Sequence, residues 1–322
     1  MNNHMTATAE RPVSTGRPKA KIRLGDRVFS TATVLSGSLI LLVLVLVAAF
    51  LVAQSLPAFF AAKGTLPDSS TNFWTYVGPL VFGTVWAAFL ALIIATPLAL
   101  GIALFISHYA PRRISQLLGY IIDLLAAVPS VVFGLWGVLV LAPFIQPFYN
   151  TLVDKLGWIP LFAGPVSGTG KTILTAAIVL AVMVLPIMTA VMREIFLQAP
   201  VLHEEAALAL GATRWEMIRM AVLPFARSGI VSAIMLGLGR ALGETLAIAI
   251  VLSPATVINV FLLTSQNPNT IAANIALQFN EAQGVGLNTL IASGLILFVI
   301  TLLINMLARY VVNRRKDFSG AN

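Results

Sequence analysis

Residues 205–224 read EAALALGATRWEMIRMAVLP, a short polar island between two long apolar runs. Pro200 stands where a helix can begin without loss, since the first N–H groups of a helix have no internal partner. Residues 201–210 are rich in Ala and Leu and read as helix, and Gly211 follows where a left-handed residue ends one. Thr213 and Glu216 have the Ser/Thr-x-x-Glu spacing of a capping box, which starts a second helix that Pro224 is expected to end. Ala206 and Ala207 have little bulk, so another surface can come close. A segment that docks onto a soluble partner needs such small helices. A plain helical hairpin between spans has the same local signals, so local chemistry leaves both readings open.

Working outward, the chain of 322 residues is only 10% charged and 58% hydrophobic, and its mean hydropathy is +0.93. Soluble domains carry roughly 25% charged residues, so this composition belongs to a polytopic membrane protein. Six runs are long enough to cross a bilayer as helices: about 32–54, 79–107, 118–142, 172–192, 229–252 and 288–311. Pro97, Pro129 and Pro186 fall inside them and are expected to kink or interrupt their helices. Residues 1–30 form a polar tail with Pro, Ser, Thr and Lys/Arg, expected to be disordered, and 313–322 form a second tail. The membrane-spanning body is 31–312. With no cysteine, disulfides and thiolate metal sites are excluded.

The net charge of +8 is a matter of topology rather than of nucleic-acid binding. With the N-terminus inside, Arg11, Arg17, Lys19, Lys21, Arg23, Arg27, Arg112, Arg113, Arg193, Arg214, Arg219, Arg227, Arg309, Arg314, Arg315 and Lys316 all fall on the cytoplasmic side. Only Lys63, Lys155 and Lys171 fall outside, and Arg240 alone lies within a span. The positive-inside rule therefore predicts both termini and the 193–228 loop in the cytoplasm.

In that setting the polar island resembles the EAA loop of ABC-importer permeases. Glu205, Ala206, Ala207, Gly211, Leu223 and Pro224 match its pattern in register, and Ala221 departs from it where the pattern has Ile. The resemblance implies that the loop seats in a cleft of a cytoplasmic ATPase and transmits its closure.

Residues 237–245 read GLGRALGET. In a continuous helix Arg240 and Glu244 share one face, which makes Glu244 the nearest partner for a charge that costs roughly 2.5–3.5 kcal/mol at mid-membrane. Gly239 and Gly243 form a GxxxG step expected to pack a neighbouring helix. The pair reads either as a structural ion pair or as an anion path in which the planar donors of Arg240 meet an oxyanion. GLGRALGET, with LLAAVPSVVFGLWGVLVLAP at 124–143, resembles PstC-type permeases of phosphate ABC importers over about residues 75–310.

That resemblance implies an all-α, six-helix inner-membrane permease subunit of an ATP-driven phosphate importer. It also implies a PstA-type sister permease, two copies of a PstB-type ATPase that carries the ATP and Mg, and a PstS-type binding protein outside the membrane. No cofactor on this chain and no nucleic acid are expected. The family's intramembrane Arg and Glu, implicated in transport, match Arg240 and Glu244. Rival readings are a permease for molybdate or sulfate, the sister phosphate permease, and an ion-gradient-driven secondary transporter. The last has no need of a docking loop and usually shows inverted repeats.

Other features are weak. PVSGTGKT at 165–172 has Pro165 where a Walker A loop needs its first glycine and precedes a membrane span, so an outer loop anchored by Lys171 is expected. Asp123 is expected to pair with Arg112 or Arg113, and His108 to sit at the interface. His203, next to Glu204, lacks the spacing of a metal site, and no catalytic set is evident.

Overall fold

A computed structural model describes residues 24–62, 64–67 and 70–314, with side chains described as far as residue 310. Of the two expected tails, residues 1–23 and 315–322 lie outside the described residues. The chain divides into a unit up to Phe50 and a unit from Leu51 onward. The first contains most of α1 (Leu24–Phe59), whose apolar side chains from Leu39 to Val47 are exposed.

In the second unit, α2 (Phe73–Leu104) starts at a capping box made by Asn72 and Thr75 and runs into a π turn at Phe105–Tyr109. There follow α3 (Arg112–Ala126) and α4 (Ser130–Trp136). A π turn at Gly137–Leu141 joins α4 to α5 (Ala142–Leu156). Next come α6 (Ile173–Leu197), α7 (Val201–Ala209) and α8 (Arg214–Met217). A third π turn, Ile218–Val222, leads into α9 (Leu223–Leu242), which is followed by α10 (Leu246–Val251), α11 (Ile271–Gln278) and α12 (Val285–Arg314). Two residues of β1 (Pro254–Ala255) pair in parallel with β2 (Asn267–Pro268). Six stretches are long and apolar enough to cross a membrane: Leu24–Phe59, Phe73–Tyr109, Ser130–Leu156, Ile173–Leu197, Arg214–Leu242 and Val285–Tyr310.

The centre is α2 against α6, with α9 packed on both. Ala87, Ala91, Ala95, Ala99 and Ala103 recur every fourth residue of α2, and none is more than 2% exposed. On α6, Ala176, Leu180, Val184, Met188, Met192 and Phe196 recur at the same interval, all in the same core cluster. Rows four residues apart are the ridges through which helices commonly interdigitate. Small residues on one helix let the other come close with large ones, which is how association is driven where lipid removes most of the hydrophobic incentive.

Two expected spans are relocated. The third runs Ser130–Leu156 rather than 118–142, because Pro129 has no N–H and holds the preceding residue out of the helical region. Residues 112–126 become a separate helix that buries Gly119 and Ile122 and leaves Ile114, Leu117, Tyr120 and Leu124 exposed. Asp123 lies eleven residues from Arg112 on this helix, about 16 Å along its axis, and forms no ion pair with Arg112 or Arg113. Pro97 and Pro186 stay within continuous helices. The fifth span ends at Leu242 instead of 252.

The 252–270 segment folds back over the N-terminal ends of α2 and α6. The Asn267 side chain accepts from Ile173 N (2.9 Å) and donates to the carbonyls of Lys171 (3.2 Å) and Ser253 (3.3 Å). Thr84 Oγ1 on α2 accepts from Ile271 N at 2.9 Å, and Asn274 donates to Tyr76 Oη at 2.6 Å. A Cβ on Gly83 would meet the Asn269 carbonyl, so only glycine admits this backbone. The 165–172 loop is bound into the same region: Ser167 N donates to Leu263 O at 2.8 Å, and Ser167 is fully buried.

Ala95→Leu inserts a large side chain where none is exposed, and overpacking of this kind costs about 1–3 kcal/mol. The thermal unfolding midpoint of the purified variant in detergent is expected to fall, while Leu98→Ala on the exposed face of α2 leaves it near that of the parent protein.

Candidate functional site: the docking segment and the break after helix nine

The docking segment is built much as its local chemistry requires. Helix α7 closes with Gly211 at φ +87°, where Gly211 N bonds to Leu208 O (3.0 Å) and Ala212 N to Ala207 O (3.2 Å). Side chains rarely adopt that conformation, and glycine does so without strain. Thr213 and Glu216 form the capping box: Glu216 N donates to Thr213 Oγ1, and Thr213 N donates to Glu216 Oε2 at 2.8 Å.

Glu205 and Ala206 are exposed, and Ala207 packs against the core. One face of α7 is therefore free and the other is seated. Pro224 does not end the second helix, as the sequence suggests. It lies in the first turn of α9, and the π turn before it makes Arg214–Leu242 continuous. There Leu223 N reaches back to Ile218 O, a register shift that lets the chain pass the missing N–H of Pro224 without breaking. Leu223 is half-buried against the core.

The second site lies where α9 stops. The helix ends at Leu242, so Arg240 and Glu244 do not share a helical face, and they make no ion pair. Glu244 is 8% exposed and accepts from the backbone N–H of Ala247 at 3.0 Å. Its carboxylate holds the first turn of α10, where negative charge is favoured. The Nε of Arg240 is buried and has no hydrogen-bond partner. A cleft of about 370 Å3 opens beside this break, lined by Thr245, Ala272, Ile275, Ala276, Phe279, Asn280 and Leu297.

Gly239 and Gly243 do not pack a neighbouring helix within this chain. Both are exposed, and a Cβ on Gly239 would meet nothing within 4 Å. The close approach falls at Gly237, where a Cβ would lie 2.6 Å from Met188 Sδ, and at Gly229, where it would lie 2.5 Å from Ile195 Cδ1. Phase decides this: Ala226, Gly229, Ala233, Gly237 and Ala241 follow one face of α9, and Gly239 is on another. Two glycines of the 124–143 stretch do similar work unforeseen. Gly134 lets α4 approach Ala247, and Gly137 admits Val179 and Val251.

His108 lies in the π turn at the end of the second span and is mostly buried. Its side chain is 8% exposed, and Nε2 lies 3.5 Å from Glu204 Oε1 on α7. No sequence signal links two residues ninety-six positions apart. His203 is exposed.

Among the described residues, six long apolar helices, with the short helix α7 seated between α6 and the fifth span, define a polytopic membrane protein. A family described as the binding-protein-dependent transport system inner membrane component matches residues 95–317. The chain belongs to that family and is a multi-pass inner-membrane transport component. It is 45% identical over 300 residues to the phosphate transport system permease protein PstC 2 of Mycobacterium tuberculosis, covering 90% of this chain and 92% of that one. It is 39% identical over 311 residues to the phosphate transport system permease protein PstC of Mesorhizobium japonicum, covering 94% of each. A bacterial ABC transporter that imports the acidic polysaccharide alginate has the same fold, with a TM-score of 0.58 at 18% identity over 89% of this chain and 99% of that one.

Glu244→Ala removes the acceptor for Ala247 N and is expected to cost about 1 kcal/mol. Glu244→Gln retains an acceptor there. Thermal unfolding in detergent is expected to rank Glu244→Ala below Glu244→Gln.

Proposed function

We propose that this chain is a permease subunit of an ATP-driven importer of inorganic phosphate. The substrate reading is supported by the phosphate permeases it resembles over nine-tenths of its length. The residue-level observation behind it is Arg240. A guanidinium carries five donors suited to an oxyanion, and the buried Nε of Arg240 is not engaged by the protein. Glu244 accepts from Ala247 N and makes no ion pair with Arg240, so it does not occupy those donors.

Phosphate is an anion at neutral pH and cannot enter hydrocarbon bare. In this reading the chain and a PstA-type sister permease enclose a polar path, and Arg240 offers it a fixed positive charge. Glu244 acts on the path by holding the α9–α10 break in shape. A PstS-type binding protein delivers phosphate from outside. Both termini and the 193–228 segment lie in the cytoplasm, a reading supported by the distribution of Lys and Arg.

Two PstB-type ATPase copies carry the ATP and Mg, and this chain is not itself an enzyme. The exposed side of α7, with Glu205 and Ala206, seats in an ATPase cleft, while Ala207 packs on the core, as does Leu223 at the start of α9, next to the exposed Pro224. Closure of the ATPases moves α7 and rocks the spans.

Arg240→Gln is expected to lower phosphate uptake by proteoliposomes at least tenfold, the loss of about 1.4 kcal/mol or more that a charge-assisted contact supplies, while the ATPase still co-purifies. Undiminished uptake defeats the role assigned to Arg240. Gly211→Val forces a β-branched residue to φ +87°, a strain of about 1–3 kcal/mol. The variant is expected to insert normally but to recover less ATPase on co-purification.

A further inference from the structure

Helix α7 meets the bundle in two different ways. On one side Ala207 packs against the core cluster that includes Met217, Ile218 and Val222, the last two in the π turn before α9. That contact is apolar and continuous. One turn earlier on the same face, Glu204, three residues before Ala207, reaches His108. His108 lies in the π turn that ends α2, and π turns recur where helices are adapted to function.

The imidazole is fixed from behind. Ser107 Oγ lies 2.6 Å from His108 Nδ1 and donates to Leu104 O at 3.3 Å. Across the ring, Nε2 lies 3.5 Å from Glu204 Oε1. The side chains are 8% and 20% exposed, so little water competes for either. A polar contact at this separation strengthens or parts with a small movement of α7, whereas the apolar contact at Ala207 does not switch. The two motifs at its ends have different histories in the chain: His108 closes the central helix α2, and Glu204 directly precedes the exposed Glu205 and Ala206.

We propose that His108 and Glu204 are positioning residues that carry displacement of α7 to α2. The proposal rests on the reading of α7 as the ATPase-docking helix. In the complete importer, ATPase closure shifts α7, the His108–Glu204 contact draws on the end of α2, and α2 moves against the rest of the bundle. The apolar contact at Ala207 transmits the same displacement to α9. Transport therefore needs both routes, and loss of the polar one leaves ATP hydrolysis only partly linked to phosphate movement.

The test uses the complete importer in liposomes, with phosphate as substrate, and measures phosphate taken up per ATP hydrolysed. His108→Ala and Glu204→Ala are each expected to lower that ratio by roughly threefold to tenfold, with assembly and thermal unfolding close to the parent importer. The double variant is expected to be no worse than either single one, and His108→Gln, which still offers a donor, to restore most of the ratio. Losses that multiply in the double variant, or a parental ratio in both single variants, overturn the proposal. Because the chain has no cysteine, Leu202→Cys on the exposed side of α7 gives a single cross-linking point. A cross-link to the ATPase together with multiplying losses sinks the His108–Glu204 role alone. No cross-link from Leu202→Cys or from Leu210→Cys sinks the docking reading beneath it.

Discussion

The seam between α2 and α6 is the contact on which the rest of this bundle depends. In water, a helix with an alanine stripe gives up burial that a leucine would have supplied. In a membrane that loss is small, because lipid tails solvate leucine as well as a neighbouring helix does. What remains is dispersion between closely approaching surfaces, and five alanines facing a row of leucine, valine, methionine and phenylalanine provide it. Helix α9 then packs on both with its own small face, and α3 and α10 are added to this centre through Gly119, Gly134 and Gly137.

The sequence read well where chemistry is local and poorly where it depends on phase or distance. The long apolar runs marked the spans, since hydropathy follows directly from the solvent that each segment faces. The Thr213–Glu216 box and Gly211 were legible because a cap is a matter of three or four adjacent residues. Pro129 was expected to kink or interrupt its helix, and it does interrupt it; what was not legible is that the span lies on its far side, with 112–126 a separate helix. The GxxxG step at Gly239 and Gly243 was a real pattern on the wrong face; only the position of Met188 and Ile195 decides which glycines of α9 are approached.

The expected Arg240–Glu244 contact is absent for a related reason. Spacing of four implies contact only if the helix continues, and here it stops two residues after Arg240. The carboxylate then finds a nearer donor in the Ala247 amide. The result makes the charge of Arg240 more available, because a guanidinium locked to a neighbouring carboxylate would have to be freed before it could meet an anion. The His108–Glu204 contact lay beyond any sequence pattern, since it joins ends of elements that the fold alone brings together.

Asn267 gives the molecule a direction. One amide side chain binds three backbone groups from two segments, 171–173 and 253, and Thr84 fastens Ile271 to α2. The starts of α2 and α6 are thereby riveted to one another by bonds that cannot slide. Their far ends meet α7 through a thin polar contact and a patch of methyl groups. The two ends of the bundle therefore differ in kind: near Asn267 it is tied by directional hydrogen bonds to backbone groups, and near α7 by apolar packing with a single polar contact.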